Sequence, residues 1–239
     1  MLVTGFPAGP WGTNCYVIAA QAGSECVIID PGKDSAEGID EIVREHALKP
    51  VAVMLTHGHI DHVWSVVPVC GARGIPAFIH PDDREMLADP MAGISKQTAD
   101  MLSSMTDGRL AAGEPDDVRL LADGLKIELA GIEFIVDHAP GHTRGSVMFR
   151  RAETTEDPSV LFSGDVLFQG SIGRTDLPGG DHGHMLNSLR TRVLPLPDTT
   201  VVLPGHGGTT TIGQERVSNP YLTALANEDE SPSGPKRGL

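Results

Sequence analysis

The sequence predicts a single α/β domain, and three observations carry that prediction. Short apolar runs recur along the whole chain, with segments of helical period between some of them. Turn-forming residues are dense, with 28 Gly and 18 Pro among 239 residues, so long helices do not dominate. A 40% hydrophobic content beside 21% charged residues suffices for a buried core. No fixed-period repeat and no clear linker divides the chain. Residues 1–226 therefore read as one domain, and 227–239, rich in Ser, Pro, Gly and charge, read as a disordered tail.

The elements follow in order. Residues 14–20 and 25–30 form a hairpin about the turn residues 21–24, and Pro31-Gly32 ends the second strand. Ser35 is placed to cap a helix whose apolar face is Ile39, Ile42, Val43 and Leu48. The run 51–55, Val-Ala-Val-Met-Leu, is continuously apolar, as expected of a strand buried on both faces. A helix opens at Asp61 and runs to Cys70, and 75–79 is a short strand. Residues 81–117 lose periodicity and read as short helices with a mobile loop, of which 89–117 would make a lid. Strands return at 118–121, 125–129, 132–137, 146–150 and 159–163, broken by Asp123-Gly124 and Gly131. A helix over 185–193 and a last buried strand over 200–203 complete the series.

Charge narrows the function. Lys and Arg number 18 against 32 Asp and Glu, a net charge of −14. That balance disfavours nucleic acid and anionic membrane surfaces as partners, since both are held mainly by Lys and Arg. No apolar stretch is long enough to span a membrane. Residues 1–10 lack the basic cluster and apolar run of a signal peptide, so a cytoplasmic location is expected. Cys15, Cys26 and Cys70 form no CxxC pair and read as buried reduced thiols.

Chemistry concentrates in Thr56-His-Gly-His-Ile-Asp-His62. His57, His59, Asp61 and His62 are ligand types that suit Zn²⁺, Fe²⁺ or Mn²⁺. His57 and His59 alternate and project from a strand end toward one point, while adjacent Asp61 and His62 diverge by about 100° on a helix. That splay suits two metals. Gly58 between the first pair frees the backbone for a conformation other residues avoid. A merely His-rich solvated turn is the bland alternative. Four ligand types directly after a buried run argue against it, and their surplus points to an open, catalytic site.

With its H-x-H-x-D-H segment, His57-Gly-His-Ile-Asp-His62, the chain resembles the metallo-β-lactamase-fold hydrolase superfamily. The resemblance implies an αββα sandwich and further ligands downstream, each matched here. His142 stands in Ala139-Pro-Gly-His-Thr143, Asp165 in Phe162-Ser-Gly-Asp165, and His206 in Val202-Leu-Pro-Gly-His206. By resemblance, His57, His59 and His142 hold one divalent metal, zinc by default with iron or manganese as alternatives. Asp61, His62 and His206 hold a second, and Asp165 bridges the two. A metal-bridging hydroxide would then attack a carbonyl carbon, with Asp61 orienting it. Asp165 stands where β-lactamases proper carry a cysteine, which argues against β-lactam hydrolysis.

Two further stretches, Gly170-Ser-Ile-Gly-Arg-Thr-Asp-Leu-Pro-Gly179 and Thr210-Thr-Ile-Gly-Gln-Glu-Arg-Val-Ser-Asn-Pro220, together with Asn14-Cys-Tyr-Val17, resemble the short bacterial form of the glyoxalase II group. That group hydrolyses S-(2-hydroxyacyl) thiol esters such as S-D-lactoylglutathione, the hydroxyacylglutathione hydrolase reaction. Too few residues follow His206 for the C-terminal helical domain of the longer form. Arg174 matches a thiol-binding Lys of that form, but Asp176 replaces an aromatic residue, which puts glutathione in doubt. An anionic thiol ester would need local positive charge, for which Arg174 and Arg144 are the candidates. A thiolate leaves with a pKa near about 8.5, so no strong general acid is required.

The main rival is a mononuclear iron persulfide dioxygenase on the same scaffold, using His57, His142 and Asp165. A lactonase or other hydrolase and a non-enzymatic metal-binding module are further alternatives. Of the other histidines, His46 reads as surface. His80 and His138 read as core or rim groups with a second role in orienting ligands less favoured, and His182 and His184 as a ligand mimic. Trp11, Trp64 and Met86 read as packing.

Overall fold

The computed structural model describes residues 1–105, 113–155 and 157–230. Two six-stranded sheets lie face to face. The first has the order β1-β2-β3-β4-β5-β6 and the second β14-β13-β10-β9-β8-β7. In the first sheet β1 is Leu2–Ala8, β2 Thr13–Ala19, β3 Glu25–Ile29, β4 Lys49–Met54, β5 Ala77–Ile79 and β6 Val118–Leu120. The second comprises β7 Lys126–Leu129, β8 Ile132–His138, β9 Val147–Arg151, β10 Val160–Gly164, β13 Val201–Pro204 and β14 Thr210–Thr211. A small ribbon, β11 (Leu167–Phe168) with β12 (Ser171–Ile172), stands apart.

Alternation within the strands builds three apolar layers. Along β3, Cys26 and Ile28 face one way and Val27 and Ile29 the other. The first pair packs with Ile39 and Ile42 of α1 (Ser35–Glu45) and with Val66 and Val69 of α3 (Val66–Arg73). The second pair meets Phe134, Phe149 and Phe162 of the opposite sheet. Beyond that sheet, Met148 and Leu161 pack with Met185 of α6 (His182–Ser188), Ile212 of α7 (Ile212–Ser218) and Leu222 and Leu225 of α8 (Pro220–Glu230). Both faces of each sheet are thus covered, which is why the strands read as unbroken apolar runs. The result is the expected αββα sandwich. The three cysteines are buried and unpaired, and no described helix is long and apolar enough to cross a membrane.

Some local details differ from expectation. β1 pairs antiparallel with β2, Leu2 opposite Ala19, and was not foreseen as a separate strand because an edge strand is only half buried. Ser35 is the first helical residue and not the cap. Asp34 takes the cap position with φ 60°, so the chain enters α1 with Ser35 already buried. The helix opening at Asp61 divides into α2 (Ile60–Val63) and α3, because the Ser65 N–H turns to Pro31 O at 3.0 Å. Helix 185–193 comprises the last residues of α6 and a π-helical turn, Leu189–Val193. Residues 81–105 hold a 3₁₀ turn (Pro81–Asp83), α4 (Glu85–Ala88) and α5 (Lys96–Met105). Part of the expected lid, 106–112, lies outside the described residues. Helix α8 runs through Asn227 to Glu230, four residues into the expected tail, and 231–239 lie outside the described residues.

Candidate metal centre

Four loops meet at one end of the sandwich, each following the C-terminal end of a strand: 55–59 after β4, 139–146 after β8, Asp165 after β10 and 205–209 after β13. With the start of α2, which carries Asp61 and His62, they bring all seven expected ligand residues together. His57, His59 and His142 have ligand atoms within 4.8 Å of one another, and so do Asp61, His62 and His206. Asp165 lies between the two groups. Its Oδ2 is 3.5 Å from His142 Nε2 and 3.6 Å from His206 Nε2, and its Oδ1 is 3.4 Å from His62 Nε2.

The ring orientations are set from behind. Asp30, at the end of β3, accepts from the Thr56 N–H at 2.8 Å and the Thr56 hydroxyl at 2.6 Å. The Thr56 oxygen, its proton committed to Asp30, accepts from His57 Nδ1 at 3.0 Å. Asp30 Oδ2 also accepts from His62 Nδ1 at 2.9 Å. His142 Nδ1 donates to the Arg174 carbonyl at 2.7 Å. In this tautomer assignment His57, His62 and His142 each turn an Nε2 lone pair toward the centre, the arrangement metal-binding histidines favour. His59 presents Nδ1 instead, 2.8 Å from His142 Nε2.

A second carboxylate joins the loops of the first group. Asp83 accepts from Gly58 N at 2.9 Å, Gly145 N at 2.7 Å and the Thr143 hydroxyl at 2.6 Å, while buried. Gly58 is required here for space and not for an unusual φ. Its backbone has no positive φ, but a Cβ would lie 2.8 Å from the Asp83 carbonyl oxygen and from Met86 Cβ. Asp30 and Asp83 escaped the sequence reading. Asp30 looked like a strand end, and Asp83 sits in the least periodic segment.

The three sequence stretches of the glyoxalase-like pattern also converge. Asn14 Nδ2 donates to Pro204 O at 2.9 Å and Gly207 O at 3.0 Å, and Tyr16 OH to Pro204 O at 2.7 Å, fixing the turn that carries His206. Buried Glu215 accepts from Gly170 N at 2.7 Å and Thr210 Oγ1 at 2.6 Å, and Asn219 Nδ2 donates to Ser171 O at 3.0 Å. These bonds anchor the loop whose Arg174 carbonyl orients His142.

The residues fit metal ions on their own terms. His57 Nε2 and Asp165 Oδ1, both turned to the centre, are buried without a hydrogen-bond partner, a costly state for lone pairs unless something fills the space between them. Burial, then the neighbouring rings of His62 and His142, holds His57 well below the ordinary histidine range; burial and His142 bring His59 down to about 3. Both therefore stay neutral and able to coordinate. Burial acts on His62 and Asp61 as well, but opposite charges outweigh it. Asp61 and Asp165 hold His62 above its usual range, and His62 and His206 hold Asp61 below its own.

A cleft of about 300 Å³ opens onto the centre. Trp11, Ile60, Ile94 and Leu177 supply its apolar wall, with His59, Asp61, His142, Asp165 and His206 at its base. Trp11 is thus more than packing. It is 40% exposed, packs at a tilt against Trp64 with ring centroids 5.9 Å apart and borders the cleft, whereas Met86 is buried as expected. Arg174 also lines the cleft, its guanidinium paired to Asp176 by two 2.7 Å bonds. His80 and His138 stack on each other at 4.1 Å, with His80 bonded to the Asp82 N–H and His138 to the Arg144 carbonyl. They orient none of the seven residues. His46 is half-buried, and His182 and His184 are exposed away from the cleft.

Comparison with known proteins agrees with this geometry. The chain is 47% identical over 227 residues to an uncharacterized protein of Mycobacterium tuberculosis, covering 95% of this chain and 100% of the other. It is 34% identical to the hydroxyacylglutathione hydrolase GloC of Haemophilus influenzae, covering 91% and 96%. The crystal structure of BLEG-1 B3 metallo-beta-lactamase superposes with a TM-score of 0.79 at 42% identity, covering 93% of this chain and 100% of that one. The sequence model of the metallo-beta-lactamase superfamily matches residues 8–206, from the first hairpin to the last histidine of the centre, and the chain belongs to that superfamily of metal-dependent hydrolases.

Proposed function

We propose that this chain hydrolyses S-(2-hydroxyacyl) thiol esters with two divalent metal ions, zinc in the first instance. His57, His59 and His142 would hold one, Asp61, His62 and His206 the other, with Asp165 facing both. The observation that carries the binuclear reading is the pair of ligand groups flanking one unpaired carboxylate oxygen. Two such cations would lower the pKa of a shared water toward neutrality and polarise a carbonyl oxygen.

The remaining work falls to the chain itself. Asp61 Oδ2 accepts from Thr13 Oγ1 at 3.1 Å and from His206 Nε2 at 3.1 Å. The Thr13 bond, which metal binding by His206 would leave in place, would fix the carboxylate so that Oδ1 could accept the proton of an attacking water and aim it. Trp11, Ile60, Ile94 and Leu177 exclude bulk water and pack the acyl chain. Among the described residues that line the cleft, none outside the ligand set is an acid able to protonate the leaving group, and a thiolate of pKa about 8.5 needs none. An alkoxide or amine would. The likeness to GloC supports a thiol ester over other acyl compounds.

The likeness to BLEG-1 favours a second reading, β-lactam hydrolysis at the same centre. One experiment separates these. The protein is saturated with Zn²⁺, Mn²⁺ or Fe²⁺, desalted, and its metal counted per chain; thiol release from S-D-lactoylglutathione, opening of a chromogenic cephalosporin and oxygen uptake with glutathione persulfide are then measured in parallel. Near two metals with thiol release is the expected result. Cephalosporin opening without thiol release would replace the proposal with the second reading. One retained iron with oxygen uptake would replace it with persulfide oxidation.

A further inference from the structure

We infer that Gly93 is a positioning residue of the metal centre. Its backbone backs the His59 ring where hydrogen bonds orient the other rings, and it thereby couples the segment 89–95, between α4 and α5, to the ion of the first group. The inference rests on the ligand assignment proposed above and not on the identity of the substrate.

His59 is held differently from its neighbours. Thr56, Asp30 and the Arg174 carbonyl hold His57, His62 and His142 by the ring nitrogen that points away from the centre. His59 turns Nδ1 to the centre, so Nε2 carries the proton, and that nitrogen is buried without a partner among the described residues. A half-turn about the Cβ–Cγ bond would exchange Nδ1 with Cδ2 and forfeit no hydrogen bond at the far edge. Packing therefore decides which edge meets the ion.

Gly93 supplies that packing. It is buried, and a Cβ built on it would lie 2.8 Å from His59 Cδ2, 3.5 Å from His59 Nε2 and 2.5 Å from Met86 Sδ. Its φ is not positive, so space and not conformation requires the glycine. Met86 is wedged in turn against Gly58, where a Cβ would meet Met86 Cβ and Cε at 2.8 Å. The backbone bonds of the segment are local, from Met91 N to Asp89 Oδ1 at 3.1 Å, Ala92 N to Asp89 O at 3.0 Å and Ile94 N to Met91 O at 3.3 Å. Contact with His59 and Met86 is thus what joins it to the centre. The next residue, Ile94, lines the cleft, so one segment carries the ligand contact and the cleft wall side by side.

Release of zinc from the loaded protein to a chromogenic chelator tests this, with His57→Ala marking which of the two phases belongs to the first group. In Gly93→Ala that phase should quicken by about tenfold, within the range an orienting partner commands, while the other keeps its rate. Gly71→Ala, at an exposed glycine of α3 where a Cβ meets nothing, should change neither. The unaltered protein gives an independent measurement, because coupling is reciprocal. Amide hydrogen exchange across 89–95, relative to β9, is followed with both ions bound, after the faster phase and after the slower. The step that empties the first group should raise it by about tenfold, and the other step should leave it alone. An unchanged first-group phase, equal acceleration of both phases, or exchange indifferent to the first-group ion would overturn the inference, the last even if Gly93→Ala failed to fold. One zinc per unaltered chain would remove the binuclear reading alone, and the same two measurements on that ion would then decide the inference. No retained zinc would overturn both.

Discussion

The two halves of the metal centre are built from different materials. His57, His59 and His142 make a group of three imidazoles, all buried, with His57 Nε2 and His59 Nε2 left without partners. Asp61, His62 and His206 form a mixed group open to the cleft, in which His206 bonds Asp61 at 3.1 Å and His62 bonds Asp30 at 2.9 Å. Without metal the second group satisfies itself through opposite charge. The first satisfies itself only in part, since His59 Nδ1 and His142 Nε2 share a 2.8 Å bond while His57 Nε2 faces the centre without a partner, and an unpaired buried group costs about 1–3 kcal/mol. An ion entering the first group relieves that cost, whereas an ion entering the second must displace existing bonds. The first group should therefore fill earlier and hold more tightly, which calorimetric titration of metal-free protein with Zn²⁺ would show as two separated events.

The change that should erase this difference most completely is Asp165→Ala, since Asp165 faces both groups. Loss of the second equivalent and a fall in activity beyond the roughly 10–100-fold typical of an orienting partner are expected. Two retained equivalents with near-normal turnover would remove Asp165 from the bridging role. Asp30→Asn comes next. Asp30 reaches His62 directly and His57 through Thr56, so both equivalents should weaken, by about 10–100-fold each. Asp83→Asn should act more narrowly. Its bonds run to Gly58, Thr143 and Gly145, which carry only the loops of the first group. The tighter event should weaken by about tenfold and the later one stay put, as read from the same titration and the visible spectrum of the Co²⁺ form. If Asp83→Asn moved both events alike, the two halves would not be independently supported.

How much of this was legible in the sequence follows the same division. Each ligand loop announces itself because a buried apolar strand ends in a short run containing His or Asp, and strand and signature are both local. The groups behind them are not local. Asp30 meets Thr56 26 positions away and Asp83 meets Gly145 62 positions away, so each looks like an ordinary loop acid until the sheets close. The same holds at the periphery. β1 is half buried at an edge and lacks a full apolar face, and α8 presents Leu222 and Leu225 to the core ahead of a polar end that read as a tail. Arg174 was legible as the cleft's cation, but its neutralisation by Asp176 depends on how the loop turns.

The smallest expected effect tests whether the stacked pair behind the centre is separate from it. His80 packs on His138 at 4.1 Å and faces Asp82, Asp83 and Asp123. Burial, and then His138, lowers its pKa below the ordinary 6.5, against the pull of those carboxylates. A group with a depressed pKa binds fewer protons folded than unfolded, so its contribution is complete above 6.5 and is lost as pH falls below that value. Metal-free protein should melt lower at pH 5.5 than at pH 7.5, and His80→Gln should narrow that difference without touching the order of metal loading. The narrowing should not exceed roughly 2–4 °C, the shift that about 1 kcal/mol produces in a chain of this size. A pH dependence unchanged in His80→Gln would assign it to the metal-binding histidines alone, and a shift in metal loading would mean that the stacked pair supports the first group through the 80–83 turn.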